Sequence, residues 1–293
     1  MTPNGILAAA ITPRRGLTID TAAACDLAGF LASKRVAGIV AFGSTGEFVH
    51  FDIDARAALT RELVKQSKIP ILANVSHSTL DGTIELARRA LADGAAAAVA
   101  MPPYYFRYTQ PQVREFFLRL GDAVDGPISL YNIPLFTTEL AVATAQDLLA
   151  TGRFCALKDS SGDPAYIEAL LPNHTAKIYV GSDSTYRRLK AKGVNGAVSG
   201  VASVAPELMI ALDHAVATGN EALANTAERL LLEFLDWFLQ FPIPAGIAQA
   251  LEVRCGYPCP VSIPLDAGTQ AKLNRFRDWS KSWIQEVESQ CKI

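Results

Sequence analysis

The strongest constraint on this chain of 293 residues is a unit that recurs eight times: a short apolar segment followed by one that favours a helix. The apolar segments contain almost no polar residue, which is typical of parallel strands buried on both faces. They recur at intervals of roughly 20–30 residues, the spacing of strand–helix–strand units. Eight such units close on themselves as a (β/α)8 barrel, so we predict an α/β fold of the TIM-barrel type.

The eight predicted strands lie at Gly5–Ile11, Gly38–Phe42, Pro70–Asn74, Ala95–Met101, Pro127–Tyr131, a segment that ends at Lys158, Lys177–Val180 and Gly196–Ser199. A helix is predicted after each strand, and the clearest helices are Thr18–Ser33, Asp54–Lys65, Thr79–Asp93, Pro111–Ala123 and Ala141–Ala150. The alternative is a doubly wound open sheet, but no Gly-x-Gly-x-x-Gly sequence follows the first strand.

The last quarter of the chain has a different pattern, because the strand signal disappears at about Asn220. Helical segments are predicted there around Glu221–Leu239, Ile243–Arg254 and Ala267–Glu288. We therefore expect a barrel at residues 1–219 and a C-terminal helical extension at residues 220–293 that packs on it.

Composition excludes several classes of protein. Hydrophobic residues make up 50% of the chain and charged residues 19%, which fits a compact soluble enzyme. The net charge of −2 provides no basic surface for nucleic acid, and no apolar run is long enough to span a membrane. The first residues do not resemble a signal peptide, and the five scattered cysteines indicate free thiols in a reducing compartment. We expect a cytoplasmic protein that binds neither nucleic acid nor membrane.

Lys158 is the first candidate for chemistry. It ends the apolar segment Phe154–Leu157, and a turn follows at Asp159–Gly162. A lysine at the exit of a buried strand reaches water less freely than one on a helix surface, and burial disfavours the ammonium form. The neutral amine is a nucleophile towards carbonyl carbon. The alternative is a strand-end lysine whose charged head simply extends into solvent.

Polar residues also follow the other predicted strands. Because the carboxyl ends of barrel strands meet at one mouth, their side chains are expected to lie close to Lys158. These residues are Ser44 and Thr45 after the second strand, Tyr131 at the end of the fifth, Gly181, Ser182 and Asp183 after the seventh, and Ser199 at the end of the eighth.

The turn Gly43–Gly46 lacks the lysine of a phosphate-binding loop. Its hydroxyls and amides instead suit a small anion such as a carboxylate, although the turn could equally be an ordinary strand-to-helix connection. The four histidines fall on different units, so we predict no metal site.

Three motifs occur in order along the chain: Gly43-Ser-Thr-Gly-Glu47, Tyr131-Asn-Ile-Pro134 and Leu157-Lys-Asp-Ser160. With them the chain resembles the pyruvate-type class I aldolases, the family that includes dihydrodipicolinate synthase and N-acetylneuraminate lyase. The resemblance covers nearly the whole chain. The sequence Gly181-Ser-Asp183 looks more like that of aldolases acting on 2-keto-3-deoxy sugar acids. The implied substrate is a small 2-oxo acid such as pyruvate.

The resemblance implies a role for each residue at the mouth. Lys158 would condense with the C2 carbonyl of the 2-oxo acid, and the protonated imine would act as the electron sink, so no metal or organic cofactor is expected. Tyr131 would shuttle protons near the imine. Thr45 would hold Tyr131 through a chain of hydroxyls, while the amides of Ser44 and Thr45 would bind the substrate carboxylate.

The resemblance also implies an oligomer. In the family a tyrosine from a neighbouring subunit completes the proton relay, and Tyr105 matches its position. We therefore expect a homotetramer built as a dimer of dimers, in which Tyr105 serves a partner's site. For Tyr104 ordinary packing at the subunit interface is the simpler interpretation.

The substrate is narrowed by Phe136, which stands where dihydrodipicolinate synthase has the arginine that binds the carboxylate of aspartate semialdehyde. A phenyl ring cannot replace that contact, and Arg107 is the nearest cation in sequence. Ser182, Asp183 and Ser199 would instead bind the hydroxyls of a sugar acid, and Gly181 belongs to the same expected substrate site. Three functions remain open: a lyase or aldolase for hydroxylated 2-oxo acids, dihydrodipicolinate synthase itself, and a catalytically silent barrel that binds a metabolite.

Overall fold

A computed structural model describes residues 2–16, 18–172, 175–257, 259–260 and 262–292 of the chain. Eight parallel strands form a closed barrel, which confirms the predicted fold class. The barrel strands are β1 Gly5–Ala9, β2 Gly38–Ala41, β3 Ile71–Asn74, β4 Ala97–Ala100, β5 Ile128–Asn132, β6 Phe154–Asp159, β7 Lys177–Val180 and β8 Gly196–Ser199. Each strand pairs with its neighbours in chain order, and β1 closes the ring against β8.

Helices surround the barrel and continue beyond it. The eight that follow the strands are α1 Thr21–Ser33, α2 Ile53–Gln66, α3 Leu80–Ala92, α4 Gln110–Ala123, α5 Val142–Ala150, α6 Pro164–Leu170, α7 Tyr186–Ala191 and α8 Pro206–Thr218. The last three are α9 Glu221–Phe238, α10 Ala245–Cys255 and α11 Ala267–Gln290. None of the helices that the structure describes is long and apolar enough to cross a membrane.

The structure corrects the start of the first helix, which was predicted at Thr18. Thr18–Ile19 instead pairs antiparallel with Arg14–Arg15 in a small ribbon. The helix begins at Thr21, and the Asp20 carboxylate caps it by accepting a hydrogen bond from the Ala23 amide at 3.1 Å. Thr and Ile favour strands as readily as helix starts, so the sequence alone did not separate the two.

The three C-terminal helices pack on one another and on α8, and aromatic side chains join α9 to α11. The ring centroids of Phe234 and Trp283 are 4.8 Å apart, and the Trp283 indole donates a hydrogen bond to the Leu230 carbonyl at 3.0 Å. The apolar side chains of these helices join those of the barrel in one continuous core. As a result, α9 and α10 are held against the barrel, close to its mouth. The boundary between residues 219 and 220 stays a prediction.

The register between β5 and β6 sets the geometry of the mouth. Tyr131 lies directly opposite Lys158, and Asn132 lies opposite Asp159. Because parallel strands end on the same side, the two side chains predicted to do chemistry project side by side from neighbouring strands.

Candidate active site

Lys158 lies inside the mouth and is only 7% exposed. Its Nζ is 4.0 Å from the centroid of the Tyr131 ring. The alternative in which this lysine extends into solvent is therefore wrong. The amine sits over an aromatic face, at the end of a strand whose other residues are almost all buried.

Tyr131 is held by a hydroxyl, but by a different one from that expected. The Ser44 hydroxyl oxygen lies 3.3 Å from the Tyr131 hydroxyl, which is hydrogen-bonding distance. Thr45, the residue expected to make this contact, lines the same pocket, and its Oγ1 lies near Gly200. The neighbouring Ser44 thus takes the position next to the phenol. The catalytic role expected of Thr45 stays a prediction.

Gly181 lies immediately against the lysine side chain. A Cβ at this position would come within 2.8 Å of the Lys158 Cε, 2.8 Å of the Asp159 carbonyl oxygen and 2.0 Å of the Ser160 Oγ. The Gly181 amide also donates a hydrogen bond to the Asp159 carbonyl at 2.6 Å. The glycine is therefore needed for the close approach of β7 to β6, whatever its contact with substrate.

Asp183 is a buried carboxylate in the same pocket. Its Oδ2 accepts a hydrogen bond from the Val201 amide at 3.4 Å, whereas its Oδ1 has no partner among the described residues. Burial raises the pKa of Asp183 to about 6, against the opposing effects of the Ser199 hydroxyl, the Val201 amide and the Lys158 charge. An unpaired buried oxygen of this kind is ready to accept a hydrogen bond from a ligand.

A polar network behind β5 and β6 was missed by the sequence reasoning. The Asn132 amide donates to Asp159 Oδ1 at 2.7 Å, and the Ser161 hydroxyl donates to Asp159 Oδ2 at 2.7 Å. The Asn132 side-chain oxygen, Oδ1, accepts a hydrogen bond from the Leu140 backbone amide at 2.9 Å. Burial raises the pKa of Asp159, although these hydrogen bonds oppose the effect. The network fixes the strand ends that carry Tyr131 and Lys158. Asn132 and Asp159 lie within the motifs quoted above.

A second network supports the turn that carries Ser44 and Thr45. The buried Arg56 guanidinium donates to the carbonyls of Asn74 at 2.7 Å and Ser76 at 3.0 Å. The Asn74 side chain in turn donates to the Phe42 carbonyl at 2.6 Å, immediately before the turn. Burial lowers the pKa of Arg56 to about 10. Nothing in the sequence separated this arginine from a solvated residue of a surface helix.

Tyr105 lies outside the lysine pocket and is 86% exposed. Its backbone has a φ of +84°, and its ring packs edge-on against Phe106 at 4.9 Å. Tyr104 packs against the Phe48 ring of the same chain at 5.6 Å, and its expected place at a subunit interface stays a prediction. The Arg107 guanidinium is bound to the Thr137 carbonyl and does not line the described part of the lysine pocket. No cation therefore replaces the missing arginine from that position.

The side chains at the mouth of the barrel enclose a pocket of about 300 Å³ around the Lys158 amine. Its inner half, towards the barrel strands, carries the polar residues Ser44, Thr45, Tyr131, Ser160, Ser182 and Asp183, together with the apolar residues Ala9, Val198 and Val201. Its outer half is formed by the loop after β5 and by α9 and α10, and Phe136 lies there. Ser199 is not among the described residues that line the pocket, and it acts there through Asp183, whose pKa is raised by burial against the lowering effect of the Ser199 hydroxyl. A lysine amine beside a phenol and several hydroxyls suits carbonyl chemistry. No group of three or more metal-binding side chains occurs in the described part of the chain.

Comparison with known proteins agrees with this geometry. A family model described as the dihydrodipicolinate synthetase family matches residues 2–272. A 4-hydroxy-tetrahydrodipicolinate synthase from Nitrosospira multiformis is 32% identical over 255 residues, which cover 84% of this chain and 85% of that protein.

Two solved structures extend the comparison. The dihydrodipicolinate synthase from Aquifex aeolicus superimposes with a TM-score of 0.90 at 24% identity, over 96% of this chain and 98% of that one. The KD(P)GA from T. tenax superimposes with a TM-score of 0.85 at 28% identity, over 95% of this chain and 99% of that one.

Proposed function

The chain belongs to the dihydrodipicolinate synthetase family, and from this we propose that it is a lyase that joins Lys158 to a 2-oxo acid as a Schiff base and then breaks or forms a carbon–carbon bond. The observation that supports the proposal best is the Lys158 Nζ, 4.0 Å from the Tyr131 ring in a buried pocket. A catalytically silent barrel would have no use for an amine held in this way.

The first step is the attack of the Lys158 amine on the C2 carbonyl of pyruvate or another 2-oxo acid. Loss of one water gives a protonated imine, which draws electrons from the C3 bond. In the cleavage direction the C3–C4 bond breaks, the C4 hydroxyl gives up its proton, and an aldehyde leaves. The remaining enamine takes a proton at C3, and water then releases pyruvate and the free lysine.

Proton transfer falls to Tyr131, whose ring centroid lies 4.0 Å from the Lys158 Nζ and whose hydroxyl can donate and accept a proton in turn. Its contact with Ser44 at 3.3 Å orients the phenol and offers the proton a path outward. The amides of Ser44 and Thr45 are suited to the substrate carboxylate, since they lie in a turn after β2 at the same mouth.

The proposed substrate is a hydroxylated 2-oxo acid such as a 2-keto-3-deoxy sugar acid. Asp183, with its unpaired Oδ1, and Ser182 favour hydroxyls next to the reacting carbon. Phe136 in the outer half of the pocket disfavours aspartate semialdehyde, because a charge-assisted pair worth about 1.5–3 kcal/mol is missing. The similarity to the T. tenax KD(P)GA supports this choice, and the similarity to 4-hydroxy-tetrahydrodipicolinate synthases supports the alternative.

Reduction of the enzyme–pyruvate imine with borohydride, followed by peptide mass spectrometry, tests the reaction class. We expect one stable adduct on Lys158, and no adduct would leave only a metabolite-binding barrel. Values of kcat/KM for 2-keto-3-deoxygluconate and for pyruvate with aspartate semialdehyde then separate the two enzymes. A preference for the semialdehyde would mean that another group binds its carboxylate. Chelation is expected to leave the rate unchanged, because the imine itself is the electron sink.

The proposed assembly is a homotetramer built from dimers in which Tyr105 reaches a partner's site. Its exposure of 86%, next to the exposed Phe106, supports a contact between subunits. Steady-state rates and light scattering of Tyr105→Phe and of Tyr105→Ala test whether Tyr105 takes part in the proton relay of a partner subunit. Loss of rate with an unchanged mass in both variants would indicate a part in the relay, and a fully active monomer would contradict the assembly.

A further inference from the structure

The outer half of the lysine pocket has a wall of large apolar side chains. The loop after β5 contributes Leu135 and Phe136, and the segment from α9 to the start of α10 contributes Leu232, Leu235, Leu239 and Ile243. We call these six residues the apolar wall. Asp236 is the one polar side chain that α9 adds to the described lining of this pocket.

The apolar wall is exposed to a degree unusual for such residues. Leu239 is 77% exposed and Leu135 is 67% exposed, while Phe136, Leu232 and Ile243 are each close to half exposed. Scattered apolar residues on a surface need no explanation, but a contiguous patch at the entrance of a pocket marks a binding surface. In the proposed function the hydroxyls of a sugar acid bind at Asp183 and Ser182, and the apolar wall is left to accept a substituent of a different kind.

The apolar wall and Lys158 line one continuous pocket, so the molecule that contacts the wall is one that reacts at the lysine. Pyruvate bound to the lysine occupies the inner half, where the polar groups lie, and is too small to fill about 300 Å³. The remaining space between the enamine carbon and the wall is where the second reactant must stand. A reactant there meets polar groups at its reacting carbon and apolar groups beyond it.

We propose a further activity, which rests on the proposed function: the pyruvate enamine condenses with aldehydes that have an apolar body, aromatic or branched aliphatic. The enamine C3 attacks the aldehyde carbon and forms the C3–C4 bond, while the carbonyl oxygen takes a proton and becomes the C4 hydroxyl. Water then hydrolyses the imine, replacing the water lost when it formed, and releases a 4-hydroxy-2-oxo acid with an apolar substituent on C4. The same site runs the reaction in reverse.

The two halves of the pocket divide the recognition of this product. The C4 hydroxyl belongs to the inner half, where Asp183 and Tyr131 lie, and the substituent belongs to the apolar wall. A missing contact in an apolar pocket lowers kcat/KM by roughly ten- to 200-fold per methylene-sized group, so the wall discriminates between aldehydes to a measurable degree.

The test uses the full chain with pyruvate and three aldehydes: benzaldehyde, isobutyraldehyde and glyceraldehyde. Isobutyraldehyde and glyceraldehyde are both branched next to the carbonyl, so they differ mainly in polarity. We expect turnover of benzaldehyde and of isobutyraldehyde, with kcat/KM within about tenfold of the value for glyceraldehyde and the product identified by mass spectrometry. Turnover of glyceraldehyde without turnover of the apolar aldehydes would overturn the inference and leave the lyase intact. Absence of the borohydride adduct would instead overturn the proposed function.

Two variants test whether the apolar wall is responsible. Phe136→Ser and Leu235→Asn are expected to lower the ratio of kcat/KM for benzaldehyde to that for glyceraldehyde about tenfold. Ile263→Ser is the matched control, because Ile263 is as exposed as Leu135 but lies outside the described lining of the pocket. Borohydride trapping on each variant reports whether the lysine site is intact.

The result that would contradict the role of the wall is an unchanged ratio in a variant that still traps pyruvate. The wall could also be a contact between two copies of the chain. In that case Phe136→Ser would reduce the mass seen by light scattering and lower both rates together, and the proposal would fall.

Discussion

The inner and outer halves of the lysine pocket are built in different ways. In the inner half, Tyr131 and Lys158 lie opposite each other in adjacent strands, so backbone pairing sets their separation. In the outer half, Phe136 comes from a loop and Leu235 from a helix about 100 residues further along the chain. The inner half is therefore fixed by the barrel, whereas the outer half depends on how later elements pack over it.

The difference in construction carries over to energetics. In the inner half Lys158 and Tyr131 are buried and Asn132 donates a hydrogen bond to Asp159 behind them, so a change there disturbs partners that cannot reach water. The outer half exposes apolar side chains that make few polar contacts. Substitutions in the inner half should alter the reaction itself, and those in the outer half the choice of reactant.

The largest effect is expected from Lys158→Arg, which keeps the positive charge but removes the nucleophilic amine. The borohydride adduct with pyruvate should disappear, and kcat should fall at least about a thousandfold. Lys192→Arg, at an exposed position after α7, is the matched control and should retain both. An adduct that persisted at the same peptide in Lys158→Arg would mean that another residue forms the imine.

The next largest effect is expected from Tyr131→Phe, which keeps the ring over the lysine but removes the hydroxyl. We expect kcat to fall about 10²–10⁴-fold, because proton transfer is lost, while pyruvate is still trapped on Lys158. Ser44→Ala should give a smaller fall, since it removes only the group that orients the phenol. Single-turnover measurements separate imine formation from the later proton transfers. Equal losses in the two steps would contradict this division of roles.

A third effect concerns pH, through Asp183. Its pKa is about 6 in the folded chain and 3.8 without burial, so the folded state binds the proton more tightly. The protonated Asp183 therefore contributes to the free energy of unfolding in full below pH 3.8. That contribution, on the order of 3 kcal/mol, is lost as the pH rises through about 6. The free energy of unfolding of the wild type and of Asp183→Asn, measured in urea at pH 4.5 and 7.5, tests this. The wild type should lose stability relative to Asp183→Asn at the higher pH. No change would mean a well-solvated carboxylate, and the opposite sign would mean a carboxylate whose pKa is lowered by its hydrogen bonds or by Lys158.

The smallest effect is expected from Gly181→Ala. The new Cβ would press on the Lys158 Cε and on the Asp159 carbonyl, and overpacking of this kind destabilises by about 1–3 kcal/mol. Because the displaced atom belongs to the nucleophile's side chain, kcat should fall more than KM rises. Gly29→Ala in α1 has no heavy atom within 4 Å and should stabilise by about 0.5–1 kcal/mol. Similar effects of the two substitutions on kcat would contradict the close approach at Gly181.

The same division explains what the sequence could predict. The eight strands were recognisable because nearly continuous apolar runs recur at regular spacing, and Lys158 and Tyr131 stood out as polar residues ending such runs. Ser44 and Thr45 could not be told apart, because in a tight turn the backbone decides which of two neighbouring hydroxyls points inward. Phe42 and Glu47 flank that turn with φ values of +58° and +51°, which nothing in their residue types predicts.

The outer half was not predictable for a different reason. Leu232, Leu235 and Leu239 follow the spacing of any amphipathic helix, so they indicated packing on a core rather than the lining of a pocket. Arg56 was missed because its burial depends on carbonyls from a different unit of the barrel. Both features arise only from tertiary packing.

Because Tyr131 and Lys158 lie on adjacent strands, the two parts of the pocket are encoded in separate stretches of the gene. The pair Tyr131 and Lys158 is encoded within residues 128–159, while four of the six side chains of the apolar wall are encoded within residues 232–243. A single crossover between related genes downstream of the barrel can exchange the second stretch and leave the first untouched. If the wall selects the aldehyde as proposed, such an exchange changes the reactant in one event and keeps the lysine–tyrosine pair.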